Sequence, residues 1–245
     1  MQERSEPYMR IKTGIEELDK KLGGGFFRGS TIVVSGPPAV GKTIMGLQYL
    51  FNGAKKYGEN GSYITLSEPV SKTMSFCEKL SYFDQNLVDE GMITFLDLGP
   101  LMMRHKIDVR SVLHEIGVLM DKTAADRIVI DPITIISFAV RDVYESRIAI
   151  LRMAGVISSL DSTSILISEA NEMTGIPFFP IEEFVADAVV RMTIQGGDMT
   201  KEYERIMQIR KLRGSDHERR WIRYRITEDG IVGIEADVAE VLFER

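Results

Sequence analysis

The chain has 245 residues, 44% of them hydrophobic, a composition that excludes a mainly disordered protein and suits one domain spanning residues 1–245. Its 30 basic and 36 acidic side chains give a net charge of −6, which argues against bulk binding of nucleic acid. No segment approaches the ~18 uninterrupted apolar residues of a membrane span. The charged first residues lack a signal peptide and the single cysteine cannot form an internal disulfide, so we expect a cytoplasmic protein.

Apolar patterns along the chain predict alternating helices and strands. A capping box at Thr13-Gly-Ile-Glu16 predicts a first helix over residues 16–22, which three glycines then end. The strands predicted after it are 31–35, 62–66, 92–96, 127–130 and 164–168, and the helices between them are 42–57, 71–83, 109–122 and 144–160. Strand–helix alternation with apolar strands is typical of an α/β fold, in which a mainly parallel sheet carries helices on both faces.

The C-terminal part of the chain has a different pattern. Strands are predicted at 188–194, 204–211 and 220–226 with no helix between them, which indicates an antiparallel extension at one edge of the parallel core. Residues 201–225 hold nine Lys or Arg against four Asp or Glu. This local positive charge has two interpretations, a binding surface for an anionic partner or the solvated face of a strand.

The most specific motif is Gly36-Pro-Pro-Ala-Val-Gly-Lys-Thr43, which fits the P-loop pattern between a buried strand and an amphipathic helix. Gly36 and Gly41 let backbone amides approach phosphate oxygens, and the following helix adds the partial positive charge of its N-terminus. We expect Lys42 to reach the β- and γ-phosphates and the Thr43 hydroxyl to bind Mg²⁺. The predicted nucleotide contacts are Gly36, Pro37, Pro38, Ala39, Val40, Gly41, Lys42, Thr43 and Ile44.

Carboxylates follow several predicted strands at the edge where the P-loop lies. Asp131 ends an apolar strand in the Walker B pattern and is the predicted second metal ligand, although Asp before Pro132 also starts many turns. Glu68 is the candidate for orienting or deprotonating a water molecule, or else an ordinary exposed residue at a strand end. Glu169 ends a further strand and could sense a γ-phosphate or cap the following loop.

Together these motifs resemble the RecA superfamily, and more closely its single-domain KaiC-like ATPases. The discriminating pattern is Lys211-Leu-Arg-Gly-Ser-Asp-His217, followed by Thr227-Glu-Asp-Gly-Ile. The resemblance covers roughly residues 9–236. It implies a RecA-like P-loop NTPase core, ATP with Mg²⁺, and a homohexameric ring that holds nucleotide, ATP or ADP, between neighbouring subunits.

The resemblance also implies that each site is completed by the adjacent subunit. Lys211 and Arg213 would reach the neighbour's γ-phosphate, and together with Lys42 and Glu68 they form the predicted catalytic set. The remaining residues expected near that nucleotide are Leu212, Ser215, His217, Thr227 and Glu228. One departure bears on turnover, because Ser67 stands where the family has the first of two glutamates, which predicts slow hydrolysis.

Three functions are compatible with the sequence. The first is an ATP-driven ring that regulates or drives an unidentified protein partner. The second is an ATP-binding interaction module with negligible hydrolysis, which the serine at position 67 favours. The third is a recombinase-like DNA-binding ATPase, in which Trp221 and Tyr224 of the basic segment would stack on bases. The 211–217 pattern and the acidic net charge argue against this third function.

Overall fold

The computed structural model describes residues 9–102, 109–138, 142–159, 161–170, 185–196 and 203–234. Its strands are β1 Arg10–Ile11, β2 Phe26–Phe27, β3 Thr31–Gly36, β4 Gly61–Thr65, β5 Ile93–Asp97, β6 Arg127–Asp131, β7 Thr163–Glu169, β8 Ala188–Gln195, β9 Glu204–Leu212, β10 Ile222–Thr227 and β11 Gly230–Ile234. Its helices are α1 Glu16–Lys21, α2 Lys42–Tyr57, α3 Val70–Cys77, α4 Gln85–Asp89, α5 Gly99–Met102, α6 Val109–Thr123, α7 Thr134–Phe138 and α8 Val143–Ser158.

Nine of these strands form one sheet in the order β11-β10-β9-β8-β3-β7-β6-β4-β5, and β1 pairs with β2 separately. Strands β3 to β8 pair in parallel with one another, whereas β9, β10 and β11 continue the sheet antiparallel from β8. The α/β class and the antiparallel extension are therefore confirmed. The strand predicted at 188–194 belongs to the parallel half, because β8 is parallel to β3 and only its other edge pairs antiparallel.

The sheet separates two hydrophobic cores, because side chains of a strand alternate between its faces. Val34 of β3 packs with α2 in one core, and Val33 packs with α7 and α8 in the other. Arg127, at the start of β6, is 1% exposed, and its guanidinium donates to the carbonyls of Lys12 and Tyr49 and to Glu59. This buried cation ties the N-terminal segment to α2 and β6.

Two predicted local features are wrong. The N-cap of α1 is Ile15 and no side chain caps it, since the Thr13 hydroxyl accepts from Ile15 N–H and donates to the Asp19 carboxylate instead. The helix predicted at 71–83 ends at Cys77, because turns follow in which Tyr82 and Phe83 pack their rings on Phe51 of α2. Tertiary packing overrides helix periodicity there.

Six further elements were not predicted, the short strands β1 and β2, the edge strand β11 and the small helices α4, α5 and α7. The predicted helix 42–57 coincides with α2, and the single cysteine, Cys77, is buried. Among the described residues no helix is both long and apolar enough to cross a membrane.

Candidate functional site

The loop between β3 and α2 has the backbone conformation that phosphate binding requires. Gly41, the residue before α2, is left-handed with φ 93°, a conformation that favours glycine. Gly36 lies so close to the Met192 carbonyl of β8 that a Cβ atom would collide with it. The structure therefore requires glycine at the two positions for different reasons. Gly41 adopts a left-handed conformation, and Gly36 lies in close contact with the backbone of β8.

Lys42 lies over this loop. Its Nζ donates to the carbonyls of Gly36 and Pro37, each at 2.8 Å. Burial lowers the pKa of Lys42, while the nearby carboxylates of Asp131 and Glu169 raise it. The ammonium is thus held by two carbonyls of the loop, near the carboxylates of Asp131 and Glu169. It can exchange those carbonyl partners for phosphate oxygens.

A hydroxyl and a carboxylate meet at the start of α2. The Thr43 hydroxyl donates to Asp131 Oδ2 at 2.7 Å, so the two predicted metal ligands are adjacent. The Tyr63 hydroxyl of β4 donates to the same oxygen, also at 2.7 Å. Burial raises the pKa of Asp131, and the hydrogen bonds from Thr43 and Tyr63 act in the opposite direction.

These donors suit a magnesium ion. Mg²⁺ prefers oxygen ligands in an octahedron and usually takes only one or two from the protein, with phosphate and water supplying the rest. The part of the chain that the structure describes has no group of three or more His, Cys, Asp or Glu that could hold a metal alone. Thr43 and Asp131 therefore fit a cation that arrives with a phosphorylated ligand.

A cavity of about 630 Å³ opens beside the loop, within the size range of small-molecule sites. One wall is the P-loop with Lys42 and Thr43, and an adjacent wall is apolar. That apolar wall is formed by Ile44, Leu47, Phe76 and Leu80. The cavity thus combines a cationic phosphate site with a surface on which a flat apolar group, such as a base, can pack.

Glu68 lies at the rim of this cavity. Its carboxylate pairs with Lys72 at 2.6 Å, and its side chain is 48% exposed. Ser67 and Glu169 line the same cavity, and Glu169 is paired in register with Gly36 of the P-loop strand. The structure therefore brings the predicted carboxylates to one edge, with Glu68 directed toward Lys72.

Lys211 and Arg213 lie at the end of the strands opposite to the P-loop. Leu212 pairs with Ala188, and Ala188 pairs with Ile32 near the start of β3. Gly36, where the P-loop begins, is four residues further along β3, about 13 Å at roughly 3.3 Å per residue. These cations do not approach the P-loop of their own chain.

The loop after β9 is held by local contacts. Arg213 donates to the Asp187 carboxylate at 2.9 Å, and its side chain is 62% exposed. Ser215 accepts a hydrogen bond from Arg10 at 2.8 Å. His217 borders a shallow cavity with Glu17 and other residues around α1. These three predicted residues therefore form a group apart from the P-loop.

Thr227 and Glu228 lie at the same end of the strands as the P-loop. They end β10 and begin its turn into β11, where the Glu228 carbonyl accepts from Ser81 N–H at 2.8 Å. Ile226, just before them, packs against Gly41 of the P-loop. The residues expected around one nucleotide are thus divided within a single chain, Thr227 and Glu228 beside its P-loop and residues 211–217 away from it.

Sequence reasoning missed three side chains that contact the site. Besides Tyr63, Tyr224 of β10 donates its hydroxyl to the Val40 carbonyl at 2.7 Å, and Arg205 of β9 donates to the Ala39 carbonyl at 3.1 Å. Tyr224 is 2% exposed, so the hypothesis that it stacks on nucleic-acid bases is wrong. Only the strand order could have revealed these contacts, since no local signal marks them.

Comparisons with known proteins agree with this arrangement. A family model described as "ATPase: KaiC" matches residues 11–238. The circadian clock oscillator protein KaiC of Nostoc sp. strain PCC 7120 is 32% identical over 229 residues, 91% of this chain and 43% of that protein. The KaiC of Picosynechococcus sp. is 31% identical over 233 residues, 91% of this chain and 44% of that protein. The chain thus spans less than half the length of these relatives.

A solved structure matches the fold. The crystal structure of a KaiC-like protein from the hyperthermophilic archaeon Pyrococcus horikoshii OT3 superimposes with a TM-score of 0.82 at 28% sequence identity. The match covers 94% of this chain and 100% of the archaeal chain. The similarity therefore extends over essentially the whole of both proteins.

Proposed function

The chain belongs to the KaiC ATPase family, and we propose that it is a magnesium-dependent ATPase of the cytoplasm that forms a homohexameric ring and regulates or drives a protein partner. Family membership supports the ATP-binding, RecA-type function. The metal and the ring are the parts of the proposal argued from the site. Because the chain covers less than half of the clock proteins, the proposal concerns ATP chemistry and not their clock role.

The observation that carries the proposal is the meeting of Lys42, Thr43 and Asp131 at the start of α2. Thr43 and Asp131 share a hydrogen bond of 2.7 Å, and they would hold the Mg²⁺ that accompanies the nucleotide phosphates. Lys42 would neutralise charge on the same phosphates, and the amides of the loop would bind their oxygens. Bound Mg²⁺ would supply charge neutralisation and orientation of the phosphates.

Completion of the site by a second chain is supported by the division of its residues. Arg213 lies at the strand ends away from the P-loop, where it is exposed and forms an ion pair with Asp187 at the surface. An exposed ion pair stabilises by about 0–1 kcal/mol, so phosphate can displace Asp187. In a ring, Lys211 and Arg213 of one subunit would face the P-loop, Thr227 and Glu228 of the next.

Hydrolysis is proposed to be slow. Ser67 has no carboxylate to orient water, and Glu68 is engaged by Lys72 at 2.6 Å. To act as a general base, Glu68 would have to leave Lys72 and turn toward the γ-phosphate. The same ion pair favours the second candidate function, an ATP-binding interaction module with negligible turnover.

Calorimetric titration of the purified chain with ATP, in Mg²⁺ and in EDTA, tests the proposal, together with native mass spectrometry of the nucleotide-bound protein. We expect magnesium-dependent binding and a hexamer. Phosphate release then separates the ATPase from the interaction module. Release that is stimulated by DNA and falls steeply with salt would instead support a DNA-binding ATPase, for which the half-exposed Trp221 is the remaining observation.

A further inference from the structure

Tyr63 belongs to β4, the strand beside the one that ends in Asp131. It pairs with Val129 of β6, two residues before Asp131, and its side chain is 2% exposed. From that position its hydroxyl reaches across the strand end to Asp131 Oδ2 at 2.7 Å. Tyr63 also lines the cavity at the P-loop. No requirement of strand packing explains why this buried ring carries a hydroxyl.

The two hydroxyl donors to Asp131 use the same carboxylate oxygen. Thr43 and Tyr63 both donate to Oδ2, so neither of these two hydrogen bonds uses Oδ1. Thr43 has a second duty, because a threonine that binds a cation through oxygen can keep its proton on a carboxylate. The Tyr63 hydroxyl has no such duty. It can fix the carboxylate orientation before and after a cation binds.

We propose that Tyr63 is a positioning residue for the magnesium site, whose hydroxyl fixes the Asp131 carboxylate in the orientation that binds a cation together with Thr43. The inference rests on the proposed function, since it concerns the metal that accompanies ATP. The terminal torsion of an aspartate is broad and weakly restricted, so a second donor removes freedom that binding would otherwise have to remove. Partners of this kind around metal ligands typically change metal affinity by 10- to 100-fold.

The test is Tyr63→Phe, which removes only the hydroxyl from a ring of the same shape. Binding of a fluorescent ADP analogue is measured against Mg²⁺ concentration, so that no turnover is needed. We expect the Mg²⁺ concentration for half-maximal binding to rise roughly 10-fold, while binding of the analogue in EDTA stays unchanged. Thermal melting without ligand shows that the variant is folded.

Tyr49→Phe is the matched control. Tyr49 is also fully buried, on α2 itself, but its hydroxyl donates to the Thr163 carbonyl at 3.0 Å, at the other end of the sheet. Loss of this hydroxyl should leave the Mg²⁺ requirement as in the wild type. A second comparison adds Tyr63→Phe to Asp131→Asn. The Mg²⁺ concentration for half-maximal binding should not rise further in the double variant, because the Tyr63 hydroxyl acts on the metal through the Asp131 carboxylate, which is already absent.

Three results would overturn the inference. A wild-type Mg²⁺ requirement in Tyr63→Phe would show that the hydroxyl does not position the metal ligand. Equal weakening in Mg²⁺ and in EDTA would show that it supports the pocket as a whole. An additive effect in the Asp131→Asn background would show that it acts elsewhere. Failure of the wild type to bind the analogue under any condition is distinct, since that result refutes the proposed function itself.

Discussion

The parallel and antiparallel halves of the sheet place functional groups in different ways. Strands β3 and β4 are buried along their whole length, and the carboxylates Asp131 and Glu68 of this half lie where strands end. Strand β10 alternates between buried and exposed side chains, so the extension presents charges along a face. The parallel half is therefore suited to enclosing a ligand, and the extension to contacting another molecule.

The positive charge of the extension is partly neutralised within the chain. Arg220 pairs with Glu218 at 2.7 Å and Arg223 with Glu204 at 3.4 Å, besides the pair between Arg213 and Asp187. Glu204 and Glu218 lie within residues 201–225, and only Asp187 lies outside them, so these pairs distribute the positive charge of the segment but leave most of its excess in place. Paired arginines do not form the continuous cationic groove that tracks a nucleic-acid backbone.

The largest expected effect is in the parallel half. Lys42→Ala should abolish binding of ATP with Mg²⁺, because it removes the ammonium directed at the phosphates. The unfolding temperature without ligand should change little, since the Lys42 ammonium donates to carbonyls of its own loop. Calorimetry and thermal melting measure the two quantities, and wild-type affinity in the variant would contradict the assignment of the site. Thr43→Ala should give the same loss only when Mg²⁺ is present.

A mixing experiment sharpens the contrast between the halves. Lys42→Ala disables the P-loop of a subunit, whereas Arg213→Ala disables the site of its neighbour. Each uniform ring should release little phosphate, but mixed rings should recover activity, because some interfaces pair an intact P-loop with an intact Arg213. Phosphate release is measured across mixing ratios, and the recovery should vanish on dilution below the assembly concentration.

Arg210→Ala is the matched control for the mixing experiment. Arg210 lies on β9 near Arg213, is exposed, and donates to Gln208 of the same strand at 3.3 Å. Its uniform rings should keep wild-type activity. Full activity of a demonstrated monomer, or no recovery in mixed rings, would refute completion of the site by a second chain.

Local motifs predicted the parallel half better than the contacts around its site. Helix α2 was placed to the residue because left-handed glycines, Gly41 and Gly58, bound it on both sides. The adjacency of Thr43 and Asp131 followed from a motif that specifies both positions. Tyr63 was missed because its role depends on β4 lying beside β6, and strand order in a parallel sheet is set by crossovers that leave no local pattern.

The extension shows the same limit from the other side. The alternation of β10 places Ile222, Tyr224 and Ile226 on one face, but it does not indicate that Tyr224 reaches the P-loop. The predicted group of seven residues from 211 to 228 was also spread over both ends of the strands. The antiparallel extension was predicted, but the sequence does not reveal that β8 is parallel to β3, so that β9 carries Lys211 away from the P-loop.

A smaller effect is expected at the cavity rim. Glu68→Gln should keep ATP binding and lower phosphate release by roughly 10²-fold if this carboxylate activates water. Lys72→Ala removes the ion-pair partner of Glu68 and should not lower the rate. Ser67→Glu should raise it by adding a carboxylate beside Glu68. Steady-state phosphate release measures the rate of all three variants. Unchanged rates in the Glu68 and Ser67 variants would show that another group orients the attacking water.

The smallest predicted effect tests whether the two halves are independent. Tyr224→Phe removes the hydroxyl that donates to the Val40 carbonyl at 2.7 Å and leaves the ring buried between β10 and the P-loop. A neutral hydrogen bond contributes about 1 kcal/mol net, so ATP affinity should fall about fivefold if the bond holds the loop in its binding conformation. Calorimetry measures this change.

Trp221→Phe is the control for Tyr224→Phe, because Trp221 lies just before β10 and is 39% exposed, and it should leave affinity unchanged. Reduced affinity in Tyr224→Phe alone would mean that the extension positions the P-loop of its own subunit at one end while its other end carries Arg213. A nucleotide bound in one subunit would then influence, through β9 and β10, the position of the residues that this subunit contributes to the site of its neighbour. Unchanged affinity in Tyr224→Phe would instead show that the two halves act independently. The P-loop conformation would then depend on β3 and α2, and the extension would serve only the site of the neighbouring subunit.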